Sequence, residues 1–307
     1  MESKKPTKNK EALLPTLLTT LRVRESLLMT GFPFIGTLLS LEGGRQASLP
    51  HLFGLVAGTV LLSLAVYSFN SWGGIVHDRL NHRMRDHPLI TGAISPATVL
   101  GLSLGCFAAS TALFFFTVSN GTAMLGILIY PLWIVYSHPR LLAKGIPVLS
   151  SVIHMVGGNL MFMLGYTWDG RLDRLGATAS IYFSLLFVAG HLNHEVKDYE
   201  ADQRAGINTN AVRFGREETM MASFAVFAFS YALIPVAMIL KIVDPLITLP
   251  FVLMMVPHTI LYLRTKWAPT QEVIVKYQND YRLLFLIAGV VSITIYMFQA
   301  LYFTSIQ

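Results

Sequence analysis

The side chains of this chain that are best suited to chemistry lie in a polar block, residues 191–215, between two long apolar runs. If the preceding helix continues into the block, Glu195, Asp198 and Asp202 fall at i, i+3 and i+7 and share one helical face. Carboxylates near the hydrocarbon of a bilayer are tolerated when they meet a cation, and their oxygens are the ligands that Mg2+ prefers. Lys197 and Arg204 belong to the same block and can bind phosphate oxygens. The block therefore indicates a site for a metal and a phosphate; the alternative is a solvated loop that happens to be acidic.

The elements around this block are predicted to be membrane-spanning helices. The chain has 307 residues, of which 53% are hydrophobic and only 13% are charged, as in an all-α polytopic membrane protein. The last span is expected to follow a solvated cap of Asn279, Asp280 and Arg282. Nine apolar segments are long enough to cross a bilayer: 27–42, 51–70, 97–117, 121–136, 146–166, 177–193, 219–240, 245–263 and 283–303.

The basic residues predict the orientation of these spans. With nine spans, 19 of the 23 Lys and Arg residues lie on the side of the N-terminus, which predicts a cytoplasmic N-terminus, cytoplasmic polar loops and a C-terminus on the opposite side of the cell membrane. The N-terminal segment 1–26 is basic and partly amphipathic and has no pattern of a cleaved signal peptide. Because the charges are spread over short loops, lipid headgroups and a phosphorylated substrate explain them better than nucleic acid. The single cysteine, Cys106, excludes an intramolecular disulfide.

Within the polar block, the pattern K-D-x-x-x-D-x-x-x-G-x-x-T-x-x-V-x-x-G resembles the second aspartate motif of the UbiA superfamily of intramembrane prenyltransferases. The resemblance implies a single domain, residues 27–307, built as a helical bundle with a central cavity and cytoplasmic cap loops. It implies Mg2+-dependent transfer of a prenyl group from a prenyl diphosphate to an aromatic or lipophilic acceptor in the membrane. Asp198 and Asp202 would be the catalytic metal ligands, and Lys197 and Arg204 would contact the diphosphate. Seven positions match: Lys197, Asp198, Asp202, Gly206, Thr209, Val212 and Gly215.

An earlier polar loop, residues 69–95, resembles the first motif of the superfamily in part. The resemblance implies that Asp78 is a metal ligand and that Asn70 and Arg83 bind substrate. Gly74 stands where the superfamily has the middle carboxylate, so one Mg2+ is held less tightly, another ligand such as water or His77 substitutes, or the first site is unused. Matching positions are Asn70, Asp78, Arg83, Pro88, Leu89 and Gly92, and departures are Ser71, Gly74 and His87.

Four further residues are candidates for substrate contacts. Arg140 and Lys144 lie in a short basic loop that is common in the superfamily, where they would screen a diphosphate; the alternative is that they are cytoplasmic retention charges. His191 stands where the superfamily often has an acid that helps deprotonate an aromatic acceptor, and His194 where it often has Asn or Asp. A neutral imidazole can act as a base, although a histidine that only hydrogen-bonds a neighbour is the alternative for His191.

Three other functions remain compatible with the sequence. A UbiA-type terpene cyclase would use the same ionisation step, and a non-catalytic protein would bind isoprenoid lipids with a degenerate first motif. A membrane di-iron oxygenase would normally show tighter histidine clusters than the HxxH spacing present here. The histidines near the two loops are His77, His82, His87, His191 and His194.

Overall fold

The computed structural model describes residues 13–42, 45–80 and 84–304, and within these ranges the chain forms only helices and the turns between them. The predicted all-α fold is thus confirmed. A π-helical turn, Phe114–Val118, extends α6, and a 3-10 turn, Ala143–Gly145, precedes α8. The helices are α1 (Leu13–Thr20), α2 (Val23–Met29), α3 (Gly31–Glu42), α4 (Leu49–Asp78), α5 (Pro88–Thr91), α6 (Pro96–Leu113), α7 (Asn120–Ser137), α8 (Leu149–Tyr166), α9 (Arg174–Arg204), α10 (Asn210–Phe214), α11 (Arg216–Ile239), α12 (Pro245–Leu253), α13 (Met255–Trp267) and α14 (Gln271–Thr304).

Eight helical segments of the described chain are long and apolar enough to cross a membrane. Seven of them contain α4, α6, α7, α8, α9, α11 and α14, and the eighth, Pro245–Trp267, joins α12 and α13. They coincide with eight of the predicted spans. The first predicted span, 27–42, corresponds to the end of α2 and to α3, a shorter apolar stretch. The count of nine therefore stays a prediction.

The chain divides into two compact units, which are described separately below. Unit 1 consists of Met1–Ala143 and Leu160–Arg171, and unit 2 consists of Lys144–Asn159 and Leu172–Gln307. The polar segment 69–95 belongs to unit 1, and the polar block 191–215 belongs to unit 2. Each unit thus contains one of the two segments that the sequence singles out.

In unit 1, serine side chains connect the helix that carries the first polar segment to its neighbours. The hydroxyl of Ser103 on α6 donates to the Ala65 carbonyl oxygen on α4 at 2.6 Å, and that of Ser110 donates to the Gly58 carbonyl oxygen at 2.7 Å. Small polar residues at such crossings let helix backbones approach closely. These bonds hold α4 in place against α6.

In unit 2, a buried polar group lies among the aromatic residues of α11, α13 and α14. His258 of α13 is fully buried, and its ring nitrogens lie 2.6 Å from the Tyr231 hydroxyl and 2.9 Å from the Tyr277 hydroxyl. Two turns earlier on α11, the Ser223 hydroxyl donates to the Ala189 carbonyl oxygen of α9 at 2.8 Å. Helix α9, which carries the polar block, is therefore anchored to a well-connected core.

Candidate active site

Helix α9 continues through the first half of the polar block. It begins after Asp173, whose carboxylate accepts a hydrogen bond from the Gly176 N–H at 2.9 Å, and it runs for 31 residues to Arg204. At 1.5 Å per residue this is about 46 Å, compared with about 30 Å for the hydrocarbon core of a bilayer. The length explains how one helix can hold both a membrane span and a charged end that carries Lys197, Asp198 and Asp202.

The glycine and threonine positions of the second motif form the turn that ends α9. Gly206 has a left-handed φ of 68°, and the Ile207 N–H donates to the Asp202 carbonyl oxygen at 2.9 Å, a Schellman-type ending. Thr209 caps α10, because its hydroxyl accepts a hydrogen bond from the Val212 N–H. Gly215, at φ 109°, links α10 to α11. These motif residues therefore have a local structural role.

Asp202 lies in a mixed environment of acidic and basic side chains. Among the charged groups around it, the Asp198 carboxylate, one turn earlier on α9, and the Lys144 ammonium group act on Asp202 most strongly, ahead of Glu195, and the Thr209 side chain hydrogen-bonds it. The placement of Lys144 next to Asp202 goes beyond what its sequence position suggests, since 58 residues separate the two. The local arrangement combines two carboxylates with one cation.

This donor set is compatible with Mg2+ bound together with a phosphorylated substrate. Mg2+ usually keeps several waters and is held by one or two carboxylates plus substrate phosphates. Asp198 and Asp202 supply two carboxylates at i and i+4. Over the described ranges, no group of three His, Cys, Asp or Glu side chains is placed to hold a metal ion by itself. The pair therefore fits a metal that the substrate helps to bind, and not an all-protein cage.

Glu195 shares a helical face with the acidic pair but binds protein side chains. Only 5% of this residue is exposed, and its carboxylate accepts hydrogen bonds from Ser150 at 3.1 Å and from Asn210 at 2.9 Å. His191 Nε2 lies 3.0 Å from Oε1 of the same carboxylate, and the His191 ring stacks on His154 of α8 with centroids 3.6 Å apart. Because these partners occupy both of its oxygens, Glu195 ties α9 to α8 and α10 and holds the His191 ring.

Lys197, His194 and Arg282 form a basic cluster. Lys197 Nζ lies 3.1 Å from His194 Nδ1, and Gln271 Nε2 donates to the Lys197 carbonyl oxygen at 2.8 Å. A terminal nitrogen of Arg282 lies 2.5 Å from His194 Nε2. The predicted solvated cap before the last span is wrong, because α14 already begins at Gln271 and includes Arg282. No local pattern in the sequence connects Arg282 to residues 88 positions earlier.

In unit 1, the candidate residues of the first motif lie along the last turns of α4. Asn70 Oδ1 accepts a hydrogen bond from the Ser137 hydroxyl at 2.9 Å. A Cβ at Gly73 would lie 2.2 Å from the Ser137 carbonyl oxygen, so glycine is required for the contact of α4 with α7. A Cβ at Gly74 would instead lie 3.2 Å from the Asp78 carboxylate. Gly73 therefore permits helix packing, whereas Gly74 leaves space beside Asp78, a candidate metal ligand.

The departure at position 87 has a structural explanation. The Nδ1 of His87 accepts a hydrogen bond from the Leu89 N–H at 3.3 Å, so His87 caps the N-terminus of the short helix α5. Gly92, with φ 78°, is the residue that follows this helix. Burial, assisted by the Arg22 guanidinium, lowers the pKa of His87 and favours the neutral ring that can accept this bond. Arg83, a predicted diphosphate contact, lies outside the described residues.

Two basic candidates lie at exposed positions. Arg204 is exposed, and its Nε donates to the Glu200 carbonyl oxygen of the same helix at 3.0 Å. Arg140 is also exposed, and its backbone N–H donates to His138 Nδ1 at 3.2 Å. The assignment of both residues to the diphosphate stays a prediction.

The fold and the polar block define a class of protein: a polytopic, all-helical membrane protein with paired carboxylates and basic residues at the end of a long helix. Residues 30–279 match the model of the UbiA prenyltransferase family, and the chain belongs to that family. The resemblance seen in the motifs is confirmed, and with it the assignment of the chain as an integral membrane enzyme, a UbiA-type prenyltransferase.

Curated relatives agree with this assignment, and solved structures share the fold. Over 206 residues the chain is 28% identical to the digeranylgeranylglyceryl phosphate synthase of Methanoregula boonei, covering 63% of this chain and 71% of the relative. The synthase of the same name from Hyperthermus butylicus is 25% identical, with 65% and 67% covered. The fold is similar to that of a UbiA homologue from Archaeoglobus fulgidus bound to DMAPP and Mg2+, with a TM-score of 0.70, 18% identity, and coverage of 90% of this chain and 99% of the homologue.

Proposed function

We propose that this chain transfers a prenyl group from a prenyl diphosphate to a lipophilic acceptor in a Mg2+-dependent reaction, with Asp198 and Asp202 as the metal ligands. The observation that carries the proposal is the pair of neighbouring carboxylates at the end of α9 with Lys144 beside them. The binding of DMAPP and Mg2+ by the homologue from Archaeoglobus fulgidus supports the choice of donor and metal. The proposal keeps residues 27–307 as one catalytic domain in the cell membrane, with both polar segments on the cytoplasmic side.

The chemistry requires a leaving diphosphate to be stabilised while its C–O bond breaks. Bound Mg2+ would supply neutralisation of the charge that develops on the leaving group. Carboxylates alone would repel that group, so basic side chains are needed to bind the remaining oxygens. Lys144 and Lys197 are the basic residues that we assign to this role, because one lies beside Asp202 and the other directly precedes Asp198.

For the acceptor, we propose a lipophilic molecule that carries a glyceryl phosphate, as the names of the two relatives suggest. A hydroxyl oxygen of the acceptor would form the new bond to the prenyl carbon, diphosphate would leave, and the hydroxyl proton must be accepted. His191 is the candidate proton acceptor, because its Nε2 lies 3.0 Å from the Glu195 carboxylate, which positions the imidazole.

The deciding experiment is turnover by the purified full-length chain in lipid nanodiscs. Labelled prenyl diphosphates of several lengths are supplied with a prenylated glyceryl phosphate, with an aromatic acid, or without acceptor, and products are identified by mass. Asp198→Asn and Asp202→Asn should each lower Mg2+-dependent release of diphosphate by about 100-fold or more, because each removes a charged ligand of the Mg2+ that would neutralise the leaving group. Glu272→Gln, which neutralises an exposed carboxylate on α14, should change the rate less than about twofold.

Each other outcome has a defined meaning. Undiminished turnover by Asp198→Asn contradicts the metal assignment. Release of diphosphate with cyclic products, independent of any acceptor, replaces the transferase by a terpene cyclase. Binding of prenyl diphosphate without release identifies a non-catalytic lipid-binding protein. The variants Asp78→Asn and Asn70→Ala, measured in the same assay, test the roles that the resemblance implies for the first segment.

A further inference from the structure

The basic cluster on α9 contains an arginine contributed by α14. Arg282 reaches His194 Nε2 with a terminal guanidinium nitrogen at 2.5 Å. Lys197 approaches the other ring nitrogen, Nδ1, with its ammonium group at 3.1 Å. One imidazole ring therefore has a cationic hydrogen-bond donor at each of its two nitrogens.

This arrangement cannot satisfy all of its hydrogen-bonding groups by itself. A neutral imidazole has one N–H donor and one acceptor nitrogen, and lysine and arginine side chains have donors only. At one of the two nitrogens a donor therefore faces another donor. Protonation of His194 would add a second contact between two donors, because both ring nitrogens would then carry a hydrogen. It would also bring a third positive charge into the cluster.

Asp280, the nearby acidic residue of α14, forms its ion pair with Lys276 and not with Arg282. Asp280 is held by Lys276, with 2.8 Å between Lys276 Nζ and Oδ2 of the carboxylate. Among the residues that the structure describes, no carboxylate lies within ion-pair distance of the Arg282 guanidinium. The cluster thus has the composition of an anion site, with an arginine whose planar group suits phosphate oxygens.

The cluster is also held at the second motif by backbone contacts. Gln271, on the first turn of α14, donates its side-chain N–H to the Lys197 carbonyl oxygen at 2.8 Å. The Arg216 guanidinium in turn hydrogen-bonds the Gln271 side-chain oxygen. Residue 282 is eleven positions after residue 271, so both project from nearly the same face of α14 toward α9. The position of Arg282 beside Lys197 is therefore set by helix packing and does not depend on a long side chain alone.

We infer that Arg282, which contacts His194, is a diphosphate-binding residue of this enzyme and moves its hydrogen bonds to phosphate oxygens when the donor binds. The bound anion removes the conflict between donors at His194 and adds a second basic group next to Lys197. The inference rests on the proposed function, since it names a further residue of the same donor site.

The test measures binding of inorganic diphosphate in the presence of Mg2+ by titration calorimetry, and inhibition of turnover by the same anion. Arg282→Gln should weaken diphosphate binding by about 10- to 100-fold, the range for loss of a hydrogen bond to a charged group. Arg282→Lys keeps the charge but not the planar fork, and should restore part of the loss. Arg264→Gln removes an exposed arginine from α13 and should bind diphosphate within about twofold of the unmodified chain.

The outcomes separate this inference from the function on which it rests. If the unmodified chain binds diphosphate and Arg282→Gln binds it as tightly as Arg264→Gln does, the inference is wrong and the proposed function is unaffected. Equal losses for Arg282→Gln and Arg282→Lys, together with a lowered melting temperature, would assign Arg282 a purely structural role and overturn the inference as well. If the unmodified chain neither binds nor releases diphosphate, the proposed function is wrong, and the inference about Arg282 is wrong with it.

Discussion

Asn210 should be the residue of the polar block whose loss most affects stability. It is buried and contacts three parts of unit 2: its Nδ2 donates to the Glu195 carboxylate at 2.9 Å and to the Ser150 hydroxyl at 3.1 Å, and its Oδ1 accepts the Val148 N–H at 2.7 Å. Val148 has a φ of 66°, which is unfavourable for a β-branched residue. The bond from Asn210 therefore also helps to hold a strained backbone at the start of α8.

The expected effect of Asn210→Ala follows from these bonds. The bond to a buried carboxylate contributes about 1.5 to 3 kcal/mol, and the bond from the Val148 N–H, at an exposed residue, contributes about 0.5 to 1.5 kcal/mol. Since the contributions share one side chain and are not additive, we expect a loss of about 3 kcal/mol in the free energy of unfolding. Relief of strain at Val148 would offset part of this loss, by about 1 kcal/mol. Asn210→Asp should be more destabilising still, because it places a second carboxylate against Glu195.

The assay is thermal unfolding of the purified chain in lipid nanodiscs, with the exposed Asn279 as the matched control position. Asn210→Ala should lower the melting temperature by at least about 5 °C, and Asn279→Ala should change stability by less than about 0.5 kcal/mol. If Asn210→Ala and Asn279→Ala have the same melting temperature, or if Asn210→Asp is as stable as the unmodified chain, the hydrogen bonds between Asn210 and Glu195 do not contribute to stability.

Two further predictions concern packing within the units. Gly73→Ala should lower expression and melting temperature, because its Cβ would lie 2.2 Å from the Ser137 carbonyl oxygen, whereas Gly74→Ala meets only a movable side chain and should be tolerated. His258→Phe keeps an aromatic ring in unit 2 but leaves two buried tyrosine hydroxyls without their partner, so we expect a loss of about 2 to 4 kcal/mol in the free energy of unfolding. Equal expression and equal melting temperatures of Gly73→Ala and Gly74→Ala would contradict the prediction for the glycines. A melting temperature of His258→Phe equal to that of the unmodified chain would contradict the prediction for His258.

The spacing of the three carboxylates in the polar block does not reveal which of them act together. The i, i+3, i+7 pattern places Glu195, Asp198 and Asp202 on one helical face, and the continuous helix α9 agrees with that pattern. Helical periodicity does not specify which neighbours that face meets along its length. Ser150 from α8 and Asn210 from α10 bind Glu195, whereas Asp202 meets Lys144. The division of roles among the three acids therefore follows from packing between distant segments.

By itself the sequence determined the class of the protein, most of its spans and the motif that identifies its family. These features depend on composition, on apolar segment length and on residue types at short spacing, all of which are local along the chain. Only the tertiary structure decided that Glu195 is a buried connector, that Gly73 permits contact with α7, and that Arg282 meets His194. Each of these facts depends on which helices lie side by side, and contacts between residues far apart in sequence leave no periodic pattern from which they could be predicted.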